Sequence, residues 1–218
     1  MAKSKKTPGE AEILDHAFAL FAAQGYSRTT LADIADGAGV DVADVRGIAP
    51  DRLGLIDAMA TAVDRAVLAE DAGFTDEEGV RDRLFDLLMR RFDGYRLYRD
   101  GLRSASADLA RDPMAGLYLM ARLGRAMAVY LDAAGAGVRG PLGVVRIKAL
   151  SAIWLRCFRI FLTDDSEDLS KTMVALDRAL AQAERAAGWF GGARRSPPTE
   201  DPDPHGEDAD SPAGHPAT

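Results

Sequence analysis

Few side chains in this sequence are grouped in a way that supports chemistry, and those that are lie within the first fifty residues. Three lysines form a basic arm at the start of the chain: Lys3, Lys5 and Lys6. A second group, Asp41, Asp44 and Arg46, lies in a short segment with helical spacing. Lysine and arginine neutralise phosphates, and arginine also donates hydrogen bonds to the edges of DNA bases. The residue types therefore indicate contact with nucleic acid, although the two aspartates carry the opposite charge.

Catalytic chemistry has no comparable grouping. Cys157 is the one cysteine of the chain, and two of the three histidines, His205 and His215, lie in its polar C-terminal segment. These positions assemble no Ser-His-Asp triad, no Cys-His pair and no His-Cys metal site. The glycines from Gly135 to Gly140 match the dinucleotide-binding pattern, but a helix rather than a strand is predicted before them. We therefore expect neither an enzyme nor a bound cofactor or metal.

The elements that must position the N-terminal group are three short helices and a longer fourth. Apolar residues at helical spacing from Ile13 to Phe21 predict the first helix. Thr30 is the predicted N-cap of the second, and Gly39 supplies the left-handed conformation that a tight turn between helices demands. Asp41 is predicted to cap a third, very short helix, and Pro50-Asp51 to open the fourth. Two short helices joined by such a turn form a helix-turn-helix.

This segment resembles the N-terminal domain of the TetR family of bacterial regulators. The resemblance covers about a quarter of the chain and is carried by residues at family-like spacing: Ala17, Phe21, Gly25, Tyr26, Thr29, Thr30, Ile34, Ala35, Ala38, Gly39, Val40, Pro50 and Leu55. The family inserts its third helix into the major groove, and its contact positions correspond here to Val42, Arg46, Ile48 and Ala49. Arg52 takes the place of the family's lysine before the fourth helix. The resemblance and the basic arm together imply a DNA-binding surface formed by Lys3, Lys5, Lys6, Arg28, Thr30, Val42, Asp44, Arg46 and Arg52.

The charge of this domain argues against tight binding to DNA. Between Met1 and Pro50 the sequence has five Lys or Arg residues and seven Asp or Glu residues. Asp33, Asp36 and Asp41 have a second interpretation, as caps and helix-dipole partners that face away from DNA. The basic arm would add phosphate or minor-groove contacts. At the level of sequence, retention of DNA binding stays open.

The rest of the chain predicts five more helices and therefore an all-α, TetR-like fold of about nine. Thr75 and the acids behind it are expected to open the fifth helix, and Ser166 to cap the last. We divide the chain into a basic arm (1–10), a helix-turn-helix domain (11–50), a helical ligand-binding and dimerisation domain (51–190) and a disordered tail (191–218). The tail is proline-rich and acidic, and it has no apolar residue large enough to build a core.

The last two predicted helices are joined by Asp164-Asp165 and should form an antiparallel hairpin. In the resembled family this pair packs against its two-fold mate as a four-helix bundle. The apolar face from Val144 to Leu162 is wider than a lone hairpin covers, which favours a homodimer. The predicted interface consists of Phe158, Phe161, Leu169, Met173, Leu176 and Leu180. The alternative is that the preceding helices cover this face.

The middle helices are rich in methionine and aromatic residues, which suit an adaptable pocket for an apolar ligand. The candidate pocket residues are Met89, Phe92, Tyr95, Tyr118, Met120, Met127, Tyr130 and Trp154. Residues of this kind at helical spacing fit an ordinary core equally well. Arg122, Arg125 and Arg156 are the candidates for contact with a polar head of the ligand.

A second resemblance involves residues 148–181, which are similar to the C-terminal part of the lipid-binding accessory proteins of ubiquinone biosynthesis. Those proteins share the TetR-like fold and do not bind DNA. The common elements are a leucine-aromatic helix, Asp165-Ser166, Thr172 and Leu176-Asp177-Arg178. That family has a terminal amphipathic helix for membrane contact, whereas only Trp189-Phe190 precede the polar tail here.

The sequence has no apolar run of transmembrane length and no signal-peptide pattern, so we expect a cytoplasmic protein without stable membrane insertion. We predict a homodimeric TetR-type repressor that binds double-stranded operator DNA and is released by a hydrophobic small molecule or lipid. The alternative is a TetR-like accessory protein of ubiquinone biosynthesis that binds a lipid or isoprenoid and no DNA.

Overall fold

A computed structural model describes residues 8–70, 73–75 and 77–187 of the chain. These residues form nine α-helices: α1 (Glu10–Gln24), α2 (Leu31–Ala38), α3 (Val42–Ile48), α4 (Arg52–Ala69), α5 (Val80–Tyr95), α6 (Arg99–Leu109), α7 (Pro113–Ala133), α8 (Gly140–Phe161) and α9 (Ser170–Ala187). Short 3₁₀ turns cover Tyr26–Arg28 and Arg96–Tyr98, and no strand occurs in this part of the chain. The all-α prediction is confirmed. The basic arm with Lys3, Lys5 and Lys6, and the tail from 191 to 218, lie outside the described residues. Among the described helices, none combines the length and the apolar character that crossing a membrane requires.

Side-chain caps begin the N-terminal helices where the sequence predicts them. The Thr30 hydroxyl accepts a hydrogen bond from the Asp33 amide at 3.1 Å, and the Asp33 carboxylate accepts one from the Thr30 amide at 2.8 Å. Gly39 ends α2 in the left-handed region with φ at 69°. Asp51 accepts from the Gly54 amide at 2.8 Å and so begins α4. Each such cap contributes about 1 kcal/mol to helix stability.

The predicted start of the fifth helix is wrong. α5 begins at Val80, and Thr75 lies ahead of it in an irregular segment. Gly79 occupies the position before the helix with extended backbone angles. Glycine loses more conformational freedom than any other residue on entering a helix, so a helix that ran through this position would be weakened. Glu77 and Glu78 are therefore not part of a first helical turn.

The predicted cap of the last helix is also displaced. α9 begins at Ser170 because Leu169 takes a positive φ of 54°, which is incompatible with a helical turn. Ser166 still contributes, since its hydroxyl accepts from the Ser170 amide at 3.0 Å. Asp164 is buried in the same loop and accepts from the Thr172 amide at 2.8 Å. Burial raises the pKa of Asp164, but hydrogen bonds from Ser166 and Thr172 outweigh that effect and lower it to about 2.

The three N-terminal helices pack on the rest of the molecule through α6. α1 approaches α6 so closely at Gly101 that a Cβ atom there would lie 2.6 Å from the Phe18 carbonyl oxygen. The Phe18 ring also packs on Tyr98 with 5.0 Å between ring centroids. Burying an aromatic ring of this kind stabilises the fold by about 1.5–3 kcal/mol. Only glycine permits this crossing, which fixes the helix-turn-helix against α6.

The core of the larger domain lies between α5, α7, α8 and α9. Phe92 stacks on Trp154 with 4.2 Å between ring centroids and 13° between ring planes. Phe92 also contacts Phe161, at 5.3 Å between centroids. Both phenylalanines are fully buried, so this aromatic cluster packs α5 against α8 in the core.

Candidate functional site

α3, the helix that the sequence predicts to contact DNA, exposes one of its faces to solvent. Val45 is fully buried and anchors α3 on the domain, whereas Asp44, Arg46 and Gly47 face solvent. A short helix held by one face, with its other face free, is the geometry by which a helix-turn-helix enters the major groove. Arg46 is the one positive side chain that α3 offers to such a partner.

Two acidic residues of this region, Asp33 and Asp44, accept hydrogen bonds from the backbone at helix starts. The Asp44 carboxylate accepts from the Asp41 amide at 3.1 Å, and Asp33 is bound in the same way to Thr30. The backbone and side-chain hydrogen bonds from Thr30 lower the pKa of Asp33. Carboxylates at a helix N-terminus are favoured by the helix dipole. The interpretation of Asp33 as a cap is confirmed, whereas the same interpretation of Asp36 is wrong, because Asp36 lies in the last turn of α2. The excess of acids therefore overstates the repulsion that DNA would meet only for Asp33 and Asp44.

Some of the predicted DNA-contact residues are exposed without an ion-pair partner, whereas others form contacts within the protein. Arg28 and Arg46 are exposed, and within the described residues neither has an ion-pair partner. Thr30 and Asp44 serve as caps, and Val42 is half-buried at the start of α3. Binding to DNA is not tested by this geometry and stays a prediction for all of these residues.

Arg52 has an intramolecular role that the sequence did not indicate. Its Nη1 donates to the carbonyl oxygens of Tyr26, Ser27 and Thr29 at 2.8, 2.5 and 3.0 Å. The guanidinium also lies 5.0 Å from the centroid of the Tyr26 ring, in a cation–π arrangement. Arg52 therefore ties the start of α4 to the turn that precedes α2. It positions the helix-turn-helix, and a direct phosphate contact by its other nitrogens stays a prediction.

A cavity of about 160 Å³, partly open to solvent, lies between α4, α5, α6, α7 and α8. Its lining is mostly apolar, with four charged or hydroxyl-bearing side chains among fifteen residues: Ile56, Met59, Ala60, Arg91, Tyr95, Leu102, Ala105, Ser106, Leu109, Leu119, Arg122, Leu123, Trp154, Leu155 and Phe158. A concave apolar site with a few polar groups is the usual form of a small-molecule site. Nowhere in the described residues do three His, Cys, Asp or Glu side chains meet closely enough to hold a metal ion.

Most of the residues that we assigned to the pocket lie elsewhere. Tyr95 and Trp154 line the cavity, whereas the other six do not: Met89, Phe92, Tyr118, Met120, Met127 and Tyr130. Phe92, Met127 and Tyr130 are fully buried core, Tyr118 and Met120 are exposed on α7, and Met89 is half-buried away from the cavity. The alternative interpretation, ordinary core, holds for Phe92, Met127 and Tyr130, whereas Tyr118 and Met120 fit neither interpretation because they lie on the surface. Of the three arginines proposed for a polar head, Arg122 lines the cavity, and Arg125 and Arg156 are exposed.

Two arginine–aspartate pairs, one buried and one half-buried, contribute to the polar character of the cavity wall. Arg91 is only 3% exposed, and its Nε lies 2.7 Å from Asp64 Oδ1. The Tyr130 hydroxyl donates to the same Asp64 Oδ1, at 3.0 Å. Burial raises the pKa of Asp64, an effect that Arg91 and Tyr130 oppose. The second pair joins Arg122 to Asp57.

The contributions of α4 and α6 to the cavity, and that of Arg91 on α5, were not predicted from the sequence. α6 supplies Leu102, Ala105 and Leu109, residues with no aromatic or methionine character. Arg91 could have been recognised from the sequence as a buried charge, because it falls between Leu87 and Tyr95 at the spacing of the buried stripe of α5. A charged residue on an otherwise apolar stripe is a better pointer to a site than the aromatic residues beside it.

The predicted dimer interface is largely wrong. Phe161, Leu169, Leu176 and Leu180 are fully buried within the chain, so they cannot meet a second copy. Phe158 is half-buried and lines the cavity. The aromatic stripe of α8 is covered by α5 and α9 of the same chain, which is the alternative that the sequence left open.

Met173 remains on the surface, at 38% exposure. A different face of the α8–α9 hairpin is accessible instead. It is a shallow groove lined by Ala149, Ala152, Ile153, Arg156, Ala179, Gln182, Ala183 and Ala186.

Comparisons with known proteins agree with this architecture. Residues 13–45 match the sequence model described as bacterial regulatory proteins, tetR family. A comparison with curated protein sequences gives no match. Among solved structures, the fold is similar to a TetR transcriptional regulator from Nitrosomonas europaea, with 24% identity, a TM-score of 0.67, and coverage of 81% of this chain and 98% of that one. It is also similar to GusR of Salmonella enterica (15% identity, TM-score 0.52, 86% and 98% covered).

NalD, the secondary repressor of the MexAB-OprM multidrug efflux pump in Pseudomonas aeruginosa, shares the fold at 19% identity and a TM-score of 0.51, with 82% and 97% covered. Nothing in these comparisons supports the resemblance of residues 148–181 to the accessory proteins of ubiquinone biosynthesis. The N-terminal segment of this chain therefore matches the sequence model of the bacterial regulatory proteins of the tetR family, and the chain has the all-α fold of solved TetR transcriptional regulators.

Proposed function

We propose that this protein is a DNA-binding transcriptional regulator of the TetR type. It binds operator DNA as a homodimer, represses transcription, and is released when an apolar small molecule enters the cavity between α4 and α8. One observation carries the proposal. The family match covers the helix-turn-helix, and α6 joins that helix-turn-helix directly to the cavity wall. The repressor role is supported by analogy with NalD, which is itself a repressor.

DNA recognition in this proposal centres on Arg46. It is exposed on α3, and Arg28 is exposed on the turn ahead of α2. Arginine donates in a bidentate manner to guanine in the major groove, which is the commonest base-specific contact. Asp44 and Asp33 are held by the backbone at helix starts, so their charge is partly satisfied within the protein. The lysine arm then supplies phosphate contacts that carry no sequence information.

Coupling between cavity and DNA runs through α6. On one face of α6, Leu102 and Ala105 line the cavity. On the other, Ser104 accepts from the Tyr26 amide at 3.0 Å, and Asp108 accepts from the Ser27 amide at 3.0 Å. A ligand that displaces α6 therefore moves the turn from which α2 begins. Such a ligand shifts the equilibrium only as far as its affinities for the two arrangements differ.

The homodimer is assigned to the outer face of the α8–α9 hairpin. The groove on this face is lined by small side chains, among them Ala149, Ala152 and Ala183, with Ile153 between them. Small residues allow two helices to approach closely, and a two-fold dimer presents two reading helices to a palindromic site. This face replaces the buried residues that the sequence analysis chose.

The test is an electrophoretic mobility shift with DNA from upstream of the protein's own gene. Arg46→Ala is expected to weaken specific binding by roughly 1–3 kcal/mol, because it removes the base-edge donor of α3. Arg65→Ala is the matched control, since Arg65 is an exposed arginine on α4 away from the reading face. Equal losses for the two variants, or no loss for Arg46→Ala, would remove Arg46 from the interface.

A further inference from the structure

The cavity contains a buried hydrogen-bond donor that the protein itself does not satisfy. Arg91 binds Asp64 through two of its nitrogens, with Nε 2.7 Å from Oδ1 and Nη2 3.2 Å from Oδ2. Nε and Nη1 are both buried without a well-directed hydrogen bond to any residue that the structure describes, but Nε faces the Asp64 carboxylate, so Nη1 is the donor left without an acceptor. Nearly all buried polar groups in proteins have a partner, so a donor of this kind in a cavity wall indicates a ligand group that accepts from it.

The surroundings of Arg91 restrict what can lie next to that donor. Its guanidinium lies 4.3 Å from the centroid of the Trp154 ring and 5.4 Å from that of Tyr95, and both rings line the cavity. Leu119 and Leu123 of α7 form part of the remaining wall. A ligand must therefore be apolar over most of its surface and present a single acceptor to Nη1.

Charge balance in the wall argues against an anionic ligand. Asp64 neutralises Arg91, and Asp57 neutralises Arg122. Arg122 also donates to the Thr61 hydroxyl at 2.5 Å, so its head group is engaged outside the cavity. A carboxylate entering this site would lose its hydration without meeting an uncompensated positive charge. The free-energy cost of burying a charge in this way is large. A neutral acceptor, such as a carbonyl oxygen, avoids that cost.

Size sets the last restriction. The cavity volume of about 160 Å³ is close to that of an engineered protein cavity of about 150 Å³ that holds benzene. We propose, on the basis of the regulator function above, that the ligand is a neutral aromatic or similarly compact molecule of about one ring with a single carbonyl-type acceptor. Arg91 Nη1 is the donor that selects it.

The experiment compares three probes of matched shape by isothermal titration calorimetry on the full chain. Acetophenone carries the carbonyl, α-methylstyrene replaces its oxygen with a methylene group, and benzoate replaces its methyl group with a charged oxygen. Acetophenone is expected to bind roughly tenfold or more tightly than α-methylstyrene, which is the usual contribution of a hydrogen bond from a charged donor. Benzoate is expected to bind more weakly than acetophenone. Equal binding of acetophenone and α-methylstyrene, tighter binding of benzoate, or no binding of any probe would each overturn the proposal.

A double variant assigns the selectivity to Arg91. Arg91→Met combined with Asp64→Asn removes both charges at similar volume and leaves an amide oxygen to accept from Tyr130. It should bind acetophenone and α-methylstyrene equally, whereas Arg125→Met, which changes an exposed arginine of α7, should keep the preference. A preference that survives in the double variant would assign the selectivity to another group.

Operator release is measured separately, in a mobility shift with saturating acetophenone. If acetophenone binds selectively but does not release the DNA, the proposed release by ligand is wrong, and the proposed ligand class is still supported. If all three probes release the DNA equally, the proposed ligand class is wrong, and the proposed release by ligand is still supported.

Discussion

Removal of the Asp64 carboxylate should destabilise the protein strongly, and Asp64→Ala is the variant that tests this. Arg91 would keep its charge at 3% exposure while losing contacts of 2.7 and 3.2 Å. The Tyr130 hydroxyl would lose the acceptor that it reaches at 3.0 Å. Breaking a buried pair by removing one partner costs about 3–5 kcal/mol, because the remaining charge stays uncompensated. For a domain of this size that corresponds to a Tm lower by roughly 6–20 °C.

The measurement is thermal and urea unfolding followed by circular dichroism, with two comparison variants. Asp100→Ala breaks a pair with Arg103 at 3.2 Å in which both side chains are largely exposed. It should change the free energy of unfolding by no more than about 1 kcal/mol, because exposed pairs contribute little.

The Arg91→Met, Asp64→Asn double variant should recover most of the loss, since replacing both members of a buried pair is often neutral or stabilising. If Asp64→Ala and Asp100→Ala lose the same small amount of stability, the account of Arg91 as a buried, pair-dependent charge is wrong.

Three further predictions concern how the parts are held together. Gly101→Val should destabilise the docking of α1 on α6 by about 1–3 kcal/mol, because its side chain would meet the Phe18 backbone, and stability and operator affinity measured together would show it. Asp164→Asn should lower stability by about 1–3 kcal/mol at pH 7, since it weakens the buried acceptor of the α8–α9 loop. The folded-state pKa of Asp164 lies below its ordinary value, so this stabilisation is present above about pH 4 and is lost as the pH falls towards 2; a difference from the parent protein that persists at pH 2 would contradict it. Ala152→Glu should yield a folded monomer in light scattering, and an intact dimer would place the interface elsewhere.

Local features of the fold could be predicted because they depend on neighbours in sequence. The caps at Thr30 and Asp51 and the left-handed turn at Gly39 follow from residue type and spacing, and the structure confirms all three. The start of α9 could not be predicted, because it depends on the positive φ of Leu169, a conformation that residue type does not favour.

The cavity and the dimer face could not be predicted from residue type and local spacing. Periodicity identifies the buried face of a helix but not the element that covers it. Phe161 and Leu176 fit a dimer seam and an intramolecular core equally well by spacing, and in the structure they are core. Five helices contribute to the cavity wall. The residues of α6 in that wall are small or aliphatic, so residue type alone does not distinguish them from ordinary core residues. Arg91 was the exception, since its charge stands out on an apolar stripe.

The central claim is that this chain reads a DNA sequence, and the most direct measurement is a pair of dissociation constants. The full chain is titrated against DNA from upstream of its own gene and against a scrambled duplex of equal length, each at low and at moderate salt. A sequence-specific regulator should bind the upstream DNA roughly a thousandfold more tightly or better, and both affinities should fall as salt rises. Equal dissociation constants for the two duplexes at both salt concentrations would contradict the claim.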